Sequence, residues 1–264
     1  VIPRAQERQC DTIQIFSRNP RRWNYSPLDP EHVKAFRTAL CSSNIAPVFV
    51  HMPYIVNCAS AQAILYKRSI DSLCAELLRS AQIGAHYVII HAGSSENKAD
   101  GIDRMTHALN KALNKVQNEI VLLIENTPGS GNEFGDAFEH IEKMIADSDC
   151  PDRIGMVLDT AHASAAGYDL HTKSGVNKTL EYLDNKVQMN NVHLVHLNDS
   201  RTAAGSRYDR HEHIGKGSLG IGLKHVVNHP LLRSKPFIME TPRMNVKDDL
   251  RNLKTVLKYR KAYI

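Results

Sequence analysis

Cysteine is scarce and scattered in this chain: Cys10, Cys41, Cys58, Cys74 and Cys150 are five in number, and no two form a C-x-x-C pair. An odd, dispersed set excludes a disulfide framework and suits reduced thiols inside a cell. A closed structural zinc knuckle is disfavoured as well, since such sites need clustered cysteines. Long apolar runs are also missing. No stretch approaches the roughly 20 residues of a membrane helix, and Val1 to Cys10 lack the apolar centre of a signal peptide. A soluble intracellular protein is expected, cytoplasmic in a bacterium and otherwise nuclear or mitochondrial. The dinucleotide fingerprint is absent too: Gly129-Ser-Gly131-Asn-Glu-Phe-Gly135 does not have the G-x-G-x-x-G spacing and reads as a tight turn feeding a helix. Neither sign of charge dominates. A formal net charge of +5 favours a polyanionic partner only weakly.

What is present is a repeated pattern. Six short apolar runs each end on a histidine or a carboxylate: Val-Phe-Val-His51, Val-Ile-Ile-His91, Leu-Leu-Ile-Glu125, Met-Val-Leu-Asp159, His-Leu-Val-His196 and Phe-Ile-Met-Glu240. Aliphatic and β-branched runs of this length, bounded by polar residues, are what parallel strands buried on both faces look like. Segments such as Ser69 to Arg79 and Asp103 to Leu113 lie between them with helical spacing of apolar residues. Strand and helix in alternation predict an α/β fold with a parallel sheet. The 264 residues match one (β/α)8 TIM barrel of about 250 residues as a single domain spanning 1–264. A further strand over Thr12 to Phe16 brings the total to seven, one short of closure. An eighth strand is expected before Val1, where the chain also lacks a starting methionine. Without it, the strands at the seam would keep unpaired edges.

Ligand-type residues at the same end of six strands converge on the C-terminal mouth of such a barrel, where these enzymes keep their chemistry. Asp159-Thr-Ala-His162 adds an imidazole three residues past a strand-end carboxylate, and Asp209-Arg-His211 adds another pair on one side of an extended loop. The candidates are then His51, His91, Glu125, Asp159, His162, His196, Asp209, His211 and Glu240. Five imidazoles and four carboxylates suit zinc or a related divalent ion such as manganese, whereas oxygen-only sets suit magnesium or calcium. Nine ligands exceed the needs of one ion and fit three if a carboxylate bridges two. The residual positive charge of such a centre attracts a phosphodiester and acidifies bound water.

At this level the motifs become specific. Val157-Leu-Asp-Thr-Ala-His-Ala-Ser-Ala-Ala-Gly-Tyr-Asp-Leu170, His196-Leu-Asn-Asp-Ser200, Gly205-Ser-Arg-Tyr-Asp-Arg-His-Glu-His-Ile-Gly215 and Met239-Glu-Thr-Pro242 resemble the endonuclease IV family of apurinic/apyrimidinic endonucleases. The likeness extends to Phe16-Ser-Arg-Asn-Pro-Arg-Arg-Trp23, His51-Met-Pro-Tyr54, His91-Ala-Gly-Ser94 and Glu125-Asn-Thr127. The resemblance implies a three-zinc (β/α) barrel in which the catalytic Glu125 bridges two ions, one also held by His51 and His91 and the other by Asp159, His196 and Glu240. His162, Asp209 and His211 would take the third. It further implies hydrolysis of duplex DNA 5′ to an abasic site, leaving a 3′ hydroxyl and a 5′ deoxyribose phosphate, with trimming of blocked 3′ ends as a companion activity. Arg21 and Tyr54 would enter the base stack as the abasic nucleotide is extruded. Arg18, Arg22 and Trp23 flank them, and Arg207 and Arg210 are candidates for phosphate contact. A monomer without membrane attachment is expected. Two other readings stay open at this point: a sugar isomerase or epimerase of the xylose isomerase-like barrels, with fewer ions and no task for Asp209 and His211, and a protein that binds abasic sites without cutting.

Overall fold

The computed structural model of the chain describes residues 1–242 and 245–261. In chain order its principal elements are α1 (Ile2–Glu7), β1 (Ile13–Ile15), α2 (Pro30–Cys41), β2 (Val48–His51), α3 (Ala63–Ile83), β3 (Tyr87–His91), α4 (Lys98–Lys115), β4 (Val121–Glu125), α5 (Phe138–Ala146), β5 (Ile154–Asp159), α6 (Thr160–Ala166), α7 (Lys173–Val187), β6 (Val192–His196), β7 (Asp199–Ser200), β8 (His211–Glu212), α8 (Gly222–Asn228), β9 (Phe237–Ile238) and α9 (Val246–Lys261). They fall into two compact units, residues 1–124 with 143–155, and residues 125–142 with 156–264.

In the first unit β1, β2 and β3 run parallel, with Ile15 opposite Val50 and Val50 opposite Val88. All four residues of β2 are buried, as expected of a strand covered on both faces. The helical stripe is equally literal: Leu73 and Leu77 of α3 and Met105, Leu109 and Leu113 of α4 have no exposed surface. Each such side chain contributes on the order of 1.5–3 kcal/mol by leaving water. Asn97 starts α4 by accepting from the Ala99 and Asp100 amides at 3.1 and 3.3 Å.

The segment after β1 is pinned to α3 by a buried charge cluster. Arg18 Nε donates to Glu76 Oε2 at 2.8 Å, and the Ser17 hydroxyl donates to Glu76 Oε1. Arg79 donates through Nε to Ser17 Oγ at 2.8 Å and through Nη1 to the Ser26 carbonyl at 2.9 Å. Both guanidiniums lie over the Tyr25 ring, at 4.4 and 5.2 Å from its centroid. Arg18 is therefore a structural ion-pair partner and not the surface cation its place beside Arg21 and Arg22 suggests.

In the second unit β5, β6 and β9 run parallel, with Asp159 opposite His196 and His196 opposite Ile238. The core is drawn from Leu158, Leu180, Leu183, Leu194, Leu223 and Val226, all without exposed surface. β9 stops at Ile238, two residues before the carboxylate that ends its apolar run. The Glu240 amide leaves the ladder because it donates instead to the Asn198 side chain at 2.7 Å. A short antiparallel ribbon, β7 with β8, pairs Asp199 with Glu212 and Ser200 with His211.

Candidate metal centre

Five of the six predicted ligand positions at strand ends are the last residue of a strand: His51, His91, Glu125, Asp159 and His196. Within the second unit, one ligand atom from each of Glu125, Asp159, His196 and Glu240 lies within 4.8 Å of the others, and Asp159, His162 and His211 form a second such group. Asp159 belongs to both groups because of how β5 ends. One of its oxygens accepts from the His162 amide at 2.8 Å and so caps α6, which fixes His162 in the first helical turn beside it. Asp209, carried by the loop before β8, stands 3.4 Å from His162 Nε2 and 3.1 Å from His211 Nε2.

The imidazoles are held by their other nitrogen. His162 Nδ1 lies 2.9 Å from the Asn126 carbonyl and His211 Nδ1 lies 3.0 Å from the Glu240 carbonyl. A carbonyl only accepts, so Nδ1 carries the proton in both and Nε2 is left as the ligand atom. His211 Nε2 is buried and faces carboxylate oxygens of Asp209 at 3.1 Å and Asp159 at 3.9 Å, a convergence of donor atoms that a cation would suit. The electrostatics agree. Burial raises the Asp159 carboxyl, and Glu125 adds to that effect against the opposing pull of the histidines. Burial would lower His196, yet Glu240 and Glu125 outweigh it and push it up to about 9. His211 likewise reaches about 9, burial being overcome by the nearby Asp209 carboxylate and by the charge of Asp159. Burial would raise Asp209, but its pairing with His162 and His211 drives it well below the usual carboxylate range. Carboxylates that hold neighbouring histidines protonated form a site in which a divalent cation can replace those protons. Mixed imidazole and carboxylate donors fit zinc or a similar ion.

Within the first unit His51 and His91 face each other edge to face, ring centroids 5.2 Å apart, and His51 Nδ1 lies 2.8 Å from the Met52 carbonyl. Tyr54 packs edge-on against Phe16 at 5.4 Å and near His51 at 5.8 Å while remaining 61% exposed. Its amide donates to the Pro20 carbonyl at 3.2 Å, tying it to the loop of Arg21 and Arg22, which are both exposed. Trp23 is half-buried, with the Arg68 guanidinium over its ring at 4.5 Å. In the second unit Arg210 is exposed and donates to the Asp209 carbonyl at 2.6 Å. Arg207 is engaged by the protein itself, in an ion pair with Asp136 at 2.5 Å. That contact needs Gly129, where a Cβ would come within 2.5 Å of the guanidinium. The Gly129 to Gly135 stretch otherwise turns into α5, the role its spacing predicts.

Several residues were not visible as candidates in the sequence. Asn198 is fully buried, donates to Asp159 Oδ2 at 2.6 Å and accepts from the Glu240 amide. Asn126 accepts from the Asp159 amide at 2.7 Å. These asparagines orient ligands from outside the ligand shell. Tyr208, 64% exposed beside Asp209, is a further aromatic surface next to the donor set. The signal was present only as a polar residue inside each motif, with no periodicity to mark it.

Comparison with known proteins accounts for the arrangement. The model of the xylose isomerase-like TIM barrel family matches residues 2–262. The chain is 40% identical over 259 residues to a probable endonuclease 4 of Methanoculleus marisnigri, covering 97% of this chain and 92% of that protein. It is 40% identical over 261 residues to one of Methanosphaerula palustris, covering 97% and 91%. The crystal structure of endonuclease IV from Thermus thermophilus superposes with a TM-score of 0.90 at 36% identity, over 99% of this chain and 93% of that one. A D-tagatose 3-epimerase-like protein superposes with a TM-score of 0.76 at 18% identity, over 98% and 92%, a likeness of fold alone. The α/β barrel class inferred from alternating strands and helices is the class of this family. With the family model matched from end to end and relatives sharing two residues in five, the chain belongs to the endonuclease IV family of xylose isomerase-like TIM barrels.

Proposed function

We propose that this chain is a zinc-dependent endonuclease that hydrolyses the phosphodiester 5′ to an abasic site in duplex DNA, leaving a 3′ hydroxyl and a 5′ deoxyribose phosphate and also trimming blocked 3′ ends. The observation that carries the reading is the pair of buried donor groups sharing Asp159, found in a member of the endonuclease IV family. The reading assigns Asp159, His196 and Glu240 to one ion, His162, Asp209 and His211 to a second, and His51 and His91 to a third. Glu125 would be shared by the first and third, and turnover would depend on it most. One barrel domain formed by the whole chain, acting as a monomer inside the cell, completes it.

When bound, the ions supply an activated water and neutralise the charge that develops on the phosphate oxygens and on the departing 3′ oxygen. The protein prepares that chemistry. Glu125 and Asp159, at 1% and 0% exposure, sit in a region of low dielectric where electrostatic attraction is strong. The carbonyls of Asn126 and Glu240 aim Nε2 of His162 and His211, and Asn198 sets Asp159 and Glu240 at once. Arg21 and Tyr54 supply a cation and an exposed ring to fill the stack around an extruded nucleotide, which leaves most readily where pairing is already lost. Exposed Tyr208 and Arg210 beside Asp209 offer stacking and phosphate contact on the second unit.

Incision of a duplex oligonucleotide carrying one abasic site tests the reading. Zinc-loaded protein should cut it and leave an extendable 3′ hydroxyl, and metal-stripped protein should not. Lesion binding without product, or a product cut on the 3′ side, would overturn it.

A further inference from the structure

Asp199 is a fully buried carboxylate that coordinates backbone in place of metal. Its Oδ1 accepts from the amides of Ser200, Leu219 and Gly220 at 2.9, 3.0 and 3.3 Å. Its Oδ2 accepts from the amides of Gly215 and Gly217 at 2.9 and 3.0 Å. A carboxylate offers about four lone-pair sites, so five donors saturate it and leave nothing for a cation. What it does hold is a loop. The chain leaves Asp199, carries Asp209 outward, returns at His211 as β8 against β7, and is then tied to its own start by residues 215–220. The Ser218 amide closes the same ring on the Ser200 carbonyl at 2.7 Å. Space at the clasp is minimal: a Cβ at Gly217 would stand 2.5 Å from Asp199 Oδ1 and closer still to the Ser200 carbonyl oxygen.

We propose that Asp199 is the positioning residue for the ion assigned to His162, Asp209 and His211. His162 is fixed independently, by the cap of α6 and by the Asn126 carbonyl. Asp209 lies on the loop that Asp199 clasps, and His211 opens β8 where that loop returns, paired with Ser200 next to Asp199. Opening the clasp therefore releases two of the three ligands of one ion and leaves Glu125, Asp159, His196 and Glu240 where β4, β5, β6 and Asn198 put them. This rests on the functional reading above, which supplies the three ions.

Asp199→Asn tests it, because the amide presents a donor to amides that need an acceptor. Gly217→Ala attacks the same clasp by crowding while leaving the carboxylate itself chemically unchanged. Zinc alone is titrated against a competing chelator, with bound zinc counted per chain. Circular dichroism monitors the fold, and amide exchange is read at residues 215–220. Both variants should bind two ions as the unsubstituted protein does and the remaining one about 10- to 100-fold more weakly. Faster exchange at 215–220 and recovery of the last ion at high zinc should accompany the change. Parental affinity for all three ions, or equal loss of all three, would overturn the proposal. If Asp199→Asn fails to fold, Gly217→Ala decides. Fewer than three ions in the unsubstituted protein would overturn the functional reading, and this proposal with it, before any substitution is made.

Discussion

Replacing Glu76 by glutamine removes the carboxylate that pairs with the buried Arg18 guanidinium and whose charge also favours that of Arg79. The Glu76 side chain is 0% exposed and that of Arg18 4%, so neither charge can recover its hydration in place. Two unit charges about 4 Å apart interact by ~4 kcal/mol at an effective dielectric of 20. The Arg79 guanidinium is lowered first by burial and also by the nearby Arg18 charge, with Glu76 opposing. Removing one partner of such a pair costs about 3–5 kcal/mol, because an uncompensated buried charge remains. An exposed pair would cost about 0.2–1 kcal/mol. With a urea dependence near 3 kcal/mol per molar, the midpoint should fall by about 1–2 M. The double substitution Arg18→Leu with Glu76→Leu should cost less than Glu76→Gln alone, since no orphan charge is left at Arg18. Urea unfolding followed by circular dichroism measures both. A midpoint shift for Glu76→Gln equivalent to less than about 1 kcal/mol, in the range of exposed pairs, would refute the reasoning. The same variant should loosen the segment 17–26 and weaken the grip on abasic DNA without changing bound zinc.

Glu125→Gln should leave the fold intact by circular dichroism and bring incision below detection, and normal turnover would remove its bridging role. Tyr54→Ala should weaken lesion binding by about 1–3 kcal/mol, read as a roughly 5- to 150-fold rise in Kd by fluorescence anisotropy, with zinc content unchanged. Arg21→Ala should likewise raise Kd more than it alters zinc content, and an unchanged Kd would end its proposed place in the stack. His196 and His211, pushed up to about 9 in the folded protein, hold protons that the unfolded chain releases near 6.5. Their contribution to the metal-free protein is complete below about pH 6.5 and is lost as pH rises through about 9, so its melting temperature should fall across that window. A divalent ion held by these histidines would displace the same protons, so the apparent affinity for zinc should climb with pH and level off above about 9, as a chelator competition at several pH values would show.

The strands were legible because both-face burial demands uninterrupted β-branched and aliphatic residues, and β2 to β6 end on the residues at which those runs end. The sixth run departs from this. It has strand composition as far as Glu240, but the Asn198 side chain captures the Glu240 amide, a tertiary bond that no local pattern announces. Spacing marked His162 because a carboxylate cap and a first-turn residue are necessarily close. It did not distinguish Arg18 from Arg21, since exposure of a cation depends on Glu76, which is 58 residues from Arg18 in sequence. The tasks of Asn198 and Asp199 were not legible at all, because a short polar side chain becomes informative only when its partners are known.

His51, His162 and His211 all give their Nδ1 proton to a main-chain carbonyl, those of Met52, Asn126 and Glu240. Every amino acid has that carbonyl. The choice of tautomer at these histidines is consequently encoded in the path of the backbone and not in the identity of any supporting side chain. The side chains of Met52, Asn126 and Glu240 can change without altering which nitrogen is presented, whereas insertions or deletions that move the backbone by one residue would alter it. His196 is the contrast, its Nδ1 lying 2.9 Å from the Glu125 carboxylate and 3.4 Å from that of Glu240, so its proton position hangs on particular side chains. Drift in this chain is thus tolerated differently at two kinds of histidine: by register at three of them, and by residue identity at the fourth.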